Sequence, residues 1–310
     1  MGMNLTKRSS RHGASILGGA VPALMVFAAS VLWGSGGLFV SALEGFGLTN
    51  PEMTVVRLVT ALLAMSVLLA MRHGGLAHVE RADWPRFLLL GTVGSFAFVL
   101  LYNYAISITG MATAAVLLYL MPSLVTVWEV MRGREYLTFG RIVSLGLSLL
   151  GCSLVSGMWG GGAQLEVVGI IIGLAAALCY SLQNVLQTSL GRRYPTSTVV
   201  FYNIALATAC AFVYLLITET SLDFLAIYIA NPVALVVNIG FGLFDSVLAL
   251  MLFNAAIKRM PVTQASIIAT NEPVAAAVLG AVFLGQALTA FTVAGIACEV
   301  AALVLMKLTK

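Results

Sequence analysis

Apolar residues run through this chain in long unbroken stretches, and polar residues collect in the short gaps between them. Ten stretches can be marked, near 21–43, 52–71, 87–107, 111–131, 137–157, 167–190, 197–217, 233–256, 263–284 and 289–307. Each is long enough to cross a hydrocarbon core of ~30 Å as a helix, whereas barrel strands would alternate over ~10 residues. A helix satisfies its own backbone in lipid, so the pattern predicts an all-α membrane protein with ten transmembrane helices. The gaps are too short for a separate soluble domain. The first stretch is too long for a cleaved signal peptide and reads as an uncleaved anchor, preceded by a cytoplasmic tail over 1–20 that holds Lys7, Arg8 and Arg11.

The pattern also repeats. Residues 101–138 align without a gap on 252–289, at an offset of 151, with nine identities in 38 positions. Apolar composition yields some of these by itself. The polar and breaker pairs Asn103/Asn254, Pro122/Pro273 and Thr138/Thr289 carry the signal. Earlier echoes are Thr54-Val55-Val56 with Thr198-Val199-Val200, and Trp33 opposite Tyr180. The copies, 21–157 and 167–307, hold five spans each, and an odd number inverts the second copy relative to the first. Inverted helical repeats are typical of secondary transporters, whose sites lie at the repeat interface near the bilayer midplane.

Charge placement tests the span count. Hydrophobic residues make up 60% of the chain and charged residues 9%, with a mean hydropathy of +1.02. Fifteen of 16 basic residues fall on one side of the ten-span topology, and Arg57 is the exception. The opposite loops carry Glu44, Glu166, Glu219 and Asp223. The positive-inside rule puts both termini in the cytoplasm. The basic loops account for the pI near 9.0, so no nucleic-acid partner is expected. Cys152, Cys179, Cys210 and Cys298 lie within spans without paired spacing, and His12, His73 and His78 are cytoplasmic, so no metal cluster or other cofactor site is expected.

Polar groups inside a span cost several kcal/mol unless paired or facing water, so each is a candidate for function. Glu272 leads, because it precedes Pro273, whose repeat mate is Pro122 after Met121. Both prolines should kink their helices at mid-depth, and matched interruptions point to a transport site. The plainer reading is two bent helices with Glu272 capping a turn. Asp245 has the same claim, against a helix–helix hydrogen bond. Asn103, Asn254, Gln183, Asn184 and Asn271 add amides at depth; Trp33, Tyr119 and Tyr180 add rings that line a cavity or simply pack. Arg57 either meets a substrate carboxylate, snorkels, or pairs with Glu52 or Glu44. Glu299, on a face of small residues (Ala294, Cys298, Ala302), suits a hydrogen bond across a close helix contact.

The chain resembles the drug/metabolite transporter superfamily, in its ten-helix form with two EamA-like repeats. The resemblance covers nearly the whole chain and rests on Trp33-Gly34-Ser35, Arg57, Pro122 with Leu137-Thr138, Pro273 with Leu288-Thr289, and Glu272-Pro273. Tyr119 to Leu124 is similar to the fourth span of the aromatic amino acid exporters of that superfamily. Those exporters have Trp where Met121 stands, which leaves an aromatic preference open. The resemblance implies a basket-like bundle whose central cavity is lined by spans 1, 3, 4, 6, 8 and 9, with spans 5 and 10 peripheral.

The expected activity is export of amino acids across a bacterial inner membrane by alternating access, with a small-molecule substrate and the lipid bilayer as partners. Carboxylates suit the ammonium, amides the carboxylate and rings the side chain. Other small metabolites or cationic drugs form the alternative. The chain has no P-loop, so it should not hydrolyse nucleotide. An intramembrane enzyme is the remote alternative, since no histidine lies within a span, and a passive channel would leave the repeat unexplained.

Overall fold

The computed structural model describes residues 6–71, 76–156, 158–160, 166–218 and 222–308, with side chains left out at 6–19, 111–112, 160 and 307–308. Arg72, His73, Glu219 and Lys310 lie outside the described residues, as do residues 1–5 of the expected tail. From Thr6 onward the chain is helical and continues into the first span.

The described residues form helices and no strand. Eight helical spans are long and apolar enough to cross a membrane: α1 (Ala20–Glu44), α2 (Asn50–Met71), α3 (Arg81–Gly110), α4 (Thr113–Met131), α6 (Val167–Gly191), α7 (Thr196–Ile217), α8 (Pro232–Ala256) and α9 (Val262–Leu284). Two shorter apolar helices, α5 (Phe139–Val155) and α10 (Ala290–Met306), stand where the sequence predicts full spans. Gly285, at φ 66°, ends α9 in the left-handed conformation that glycine tolerates best.

Several helices break inside the bundle. In α4 the helix is interrupted at Tyr119–Leu120 and restarts at Met121 with Pro122 in its first turn. In α9 it is interrupted at Thr270–Asn271 and restarts at Glu272 with Pro273 in its first turn. Proline fits the opening turn of a helix, where its missing N–H has no carbonyl to meet. The chain therefore breaks about two residues ahead of each proline instead of bending at it. Wide turns with i→i+5 hydrogen bonds occupy Leu90–Ala97 of α3 and Gly242–Leu248 of α8. Such turns shift the helical face and often sit at functional sites.

Glycines set the closest helix contacts. A Cβ on Gly91 of α3 would run into Leu206 of α7, and one on Gly242 of α8 would lie 2.8 Å from the Arg57 carbonyl oxygen of α2. Gly91 and Gly242 are themselves 151 residues apart. Helices α5 and α10 pack against each other through Gly151 and Gly295, where a Cβ on Gly295 would lie 2.7 Å from the Gly151 carbonyl oxygen. Glu299 is 0% exposed in this contact. It accepts hydrogen bonds from Ser148 at 3.3 Å, Cys152 at 3.0 Å and Thr270 at 3.0 Å. The α10 face buried here carries Thr292, Gly295, Glu299 and Ala302; Ala294, expected on it, is exposed.

Candidate substrate cavity

A cavity of about 540 Å³ opens among α1, α2, α3, α4, α6, α7, α8 and α9. α2 and α7 thus join the six spans expected to line it. Of the sequence candidates, Trp33, Asn103, Tyr180, Asp245 and Glu272 meet here. A second cavity of about 500 Å³ adjoins Trp33 and Glu272, lined also by Tyr119, Pro273, Ser156, Gln286 and Thr292. Trp33, Tyr102 and Glu272 face both cavities.

The breaks in the helices explain how Glu272 reaches this position. Helix α1 is interrupted at Ser35, between Gly34 and Gly36. A Cβ on Gly34 would lie 2.6 Å from the Glu272 carbonyl oxygen and 2.9 Å from the Ala276 nitrogen, so α1 crosses the restarted turn of α9 backbone to backbone. That crossing sets Trp33 beside Glu272. The Trp33 ring also meets Phe253, with centroids 5.5 Å apart. Phe98 stacks on Tyr180 at 4.6 Å and meets Tyr102 at 6.1 Å. Among the described residues the Glu272 side chain forms no hydrogen bond or ion pair, and it is partly open to the cavities.

Asp245 is committed differently. Arg57 donates to it through Nη1 at 2.9 Å, and the guanidinium lies over the Phe241 ring at 4.6 Å. Arg57 therefore pairs with neither Glu52 nor Glu44. Glu52 accepts the Thr49 backbone N–H at 2.7 Å instead, close to its own helix start. Only the packing of α2 against α8 brings Arg57 and Asp245, 188 residues apart, into reach.

Four candidates do not line either cavity. Met121 is buried against Val125, Val262 and Tyr180. Asn184 turns its amide back on the Tyr180 carbonyl at 2.9 Å, Asn254 on Leu250 at 2.9 Å, and Asn271 on Ile268 at 3.0 Å. An amide that bonds its own helix one turn back is held away from a cavity. The repeat mates Asn103 and Asn254 thus differ, one open to the cavity and one packed at 1% exposure.

Sequence reasoning placed Gln183 at depth but missed the polar chain it joins on the cavity wall. Gln183 donates to the Ser95 hydroxyl at 2.6 Å, and Ser95 donates to the Asn203 amide oxygen at 2.6 Å. Ser95 lies in the wide turn of α3, as Asp245 and Ser246 lie in that of α8. A signal was present. Extended upstream, the 151-residue offset pairs Gly91 with Gly242 and Ser95 with Ser246.

Residues 21–157 and 167–308 each match the EamA-like transporter family. The chain belongs to that family. It is 30% identical over 214 residues to an uncharacterized transporter of Archaeoglobus fulgidus, across 69% of this chain and 73% of that protein. It is 25% identical over 285 residues to the uncharacterized transporter YwfM of Bacillus subtilis, across 90% and 91% of the two chains. A solved crystal structure shares its fold with a TM-score of 0.78 and 20% identity, covering 93% of this chain and 97% of that one. The family, the apolar spans and these relatives make this a multi-pass membrane transporter of small molecules.

Proposed function

We propose that the chain exports amino acids across a bacterial inner membrane by alternating access, with both termini in the cytoplasm. In this reading α1–α5 (21–157) and α6–α10 (167–307) are two inverted five-helix repeats forming a ten-helix basket around the cavity. Three correspondences at the 151-residue offset support the repeat: the breaks before Met121 and Glu272, the glycines Gly91 and Gly242, and the contact of Ser148 with Glu299, itself 151 residues away. In the last, a residue touches its own mate, as expected beside an axis relating two halves.

The observation that carries the substrate reading is Glu272, a carboxylate with no hydrogen-bond or ion-pair partner among the described residues, facing two cavities and among Trp33, Tyr102 and Tyr180. Rings flanking a carboxylate suit an ammonium group through charge and cation–π attraction. Asn103 and the Gln183–Ser95–Asn203 chain offer amides and a hydroxyl to a substrate carboxylate. A second reading, export of organic cations, is favoured by the Arg57–Asp245 pair. These two charges neutralise each other and leave Glu272 to favour a substrate with net positive charge.

The test is flux in proteoliposomes across a panel of labelled amino acids and amines, for the native protein and Glu272→Gln. The variant keeps shape and hydrogen bonding but loses the charge. Flux should fall at least tenfold, about 1.4 kcal/mol, within the roughly 1.5–3 kcal/mol of a charge-assisted hydrogen bond. Near-native flux at equal protein level would move the ammonium site away from Glu272.

A further inference from the structure

The large cavity reaches one end of the bundle only. Its wall includes Asn50, Pro51 and Thr54 at the start of α2, with Ser107 and Tyr214 near the ends of α3 and α7. Towards the basic-loop end it stops at the level of Gln183 and Asn203. Beyond them a buried apolar layer of Phe87, Leu90, Leu186, Leu190 and Val199 closes the bundle.

Beneath that layer lies a second polar cluster that the transport site does not use. Asp83 is 0% exposed. It accepts from Arg193 Nη1 at 2.9 Å, from the Tyr194 hydroxyl at 2.9 Å and from Arg86 Nη1 at 2.5 Å. Asp83 and Arg86 belong to the first family match, whereas Arg193 and Tyr194 belong to the second. The neighbouring backbone joins in: Glu80 N–H donates to the Tyr194 hydroxyl at 3.2 Å, and Ala77 N–H to the Thr198 hydroxyl at 3.2 Å. Lys258 Nζ donates to the Tyr194 carbonyl at 2.7 Å and so holds that loop from the turn after α8.

We propose that the Asp83–Arg193–Tyr194 cluster is a latch that keeps the basic-loop end shut while the substrate cavity is open at the other end. The chemistry suits a gate better than a permanent seal. A buried ion pair gives up hydration that roughly offsets its attraction, and each charge recovers water when the ends part. An apolar contact would lose its whole contribution on opening and recover nothing. Arg193, with its side chain 55% exposed, is already half hydrated and is the partner placed to leave.

The inference rests on the alternating-access reading above. It is tested with spin labels at Ala82→Cys and Arg192→Cys, both exposed positions beside the latch, in a background without the four native cysteines. The distance distribution of the unaltered latch should be dominated by a short separation. Asp83→Asn and Arg193→Gln should each raise the ratio of long to short separations at least tenfold, and the double variant should do no more than either alone. Arg193→Gln alters a half-exposed side chain and should fold normally, so it decides the matter if Asp83→Asn is unstable. Ratios within twofold of the unaltered protein would overturn the latch. Unchanged ratios with intact flux defeat the latch and leave the transporter reading standing. A shifted ratio with no saturable flux for any compound in the panel defeats the amino acid and amine export reading and leaves the latch.

Discussion

The Arg57–Asp245 pair offers the sharpest test of how this bundle holds charge inside a membrane. Helices α2 and α8 meet at Gly242, and the ion pair lies one turn from that contact at 2.9 Å. At an effective dielectric of about 20, the Coulomb attraction at that separation is about 6 kcal/mol. Desolvation offsets most of it, so the intact pair adds little net stability. Removing one partner is a different matter, because it strands the other charge, which costs about 3–5 kcal/mol in a buried setting. The side chains are 17% and 12% exposed to the cavity, which places the expected loss at the lower end, about 3 kcal/mol. Arg57→Met and Asp245→Asn should therefore each lower the apparent melting temperature in detergent by about 6 °C. Arg57→Met/Asp245→Asn should fall short of the sum of the single losses by at least about 1.5 kcal/mol, since the second change removes the charge that the first stranded. Reversible unfolding in SDS, run as a double-mutant cycle, measures the coupling. Additive losses would mean that the two groups do not stabilise each other, and both would then be free for substrate.

Other outcomes follow from contacts already described. Gly34→Leu should abolish flux at reduced but measurable protein yield, because its side chain would collide with the backbone of α9 at Glu272; native flux in a purified variant would refute this crossing. Gly295→Leu should prevent accumulation of folded protein by forcing α10 off α5, read as loss of the monodisperse peak in size-exclusion chromatography. Glu299→Ala takes the 3.0 Å acceptor from Cys152, while Ser148 still donates to Thr270 and Thr270 to the Ile267 carbonyl, and should cost about 1–3 kcal/mol while sparing substrate affinity, whereas a selective loss of affinity would assign Glu299 to transport. Single cysteines at Leu222 and Arg192 should react with an impermeant reagent from opposite faces of sealed vesicles, and labelling from one face would refute the ten-span topology.

Much of this protein is written in its order of residues, because a bilayer reads hydrophobicity locally. Each apolar run must become a helix wherever it lies in the chain, so the helical class and element boundaries were legible to within a few residues. The two prolines also marked where α4 and α9 break, since a proline without an N–H fits only the opening turn of a new helix. The start of α3 was less legible, because Arg81 and Arg86 hold the apolar run back to residue 87 although the helical span already begins at Arg81.

The site itself is a matter of packing. Sequence showed that Asp245, Glu272 and Glu299 lie at depth, yet their fates differ. Asp245 is paired with Arg57, Glu299 is enclosed by Ser148, Cys152 and Thr270, and Glu272 alone of the three has no such partner among the described residues. Nothing local separates them, because each partner comes from another helix. The same holds for the amides. Asn103 and Asn254 occupy equivalent places in the repeat, but packing on their faces turns one to the cavity and the other to its own backbone. The chain alone thus determined which groups must be satisfied inside the membrane, and the tertiary structure decided by what, since that choice depends on distances between segments far apart in the sequence.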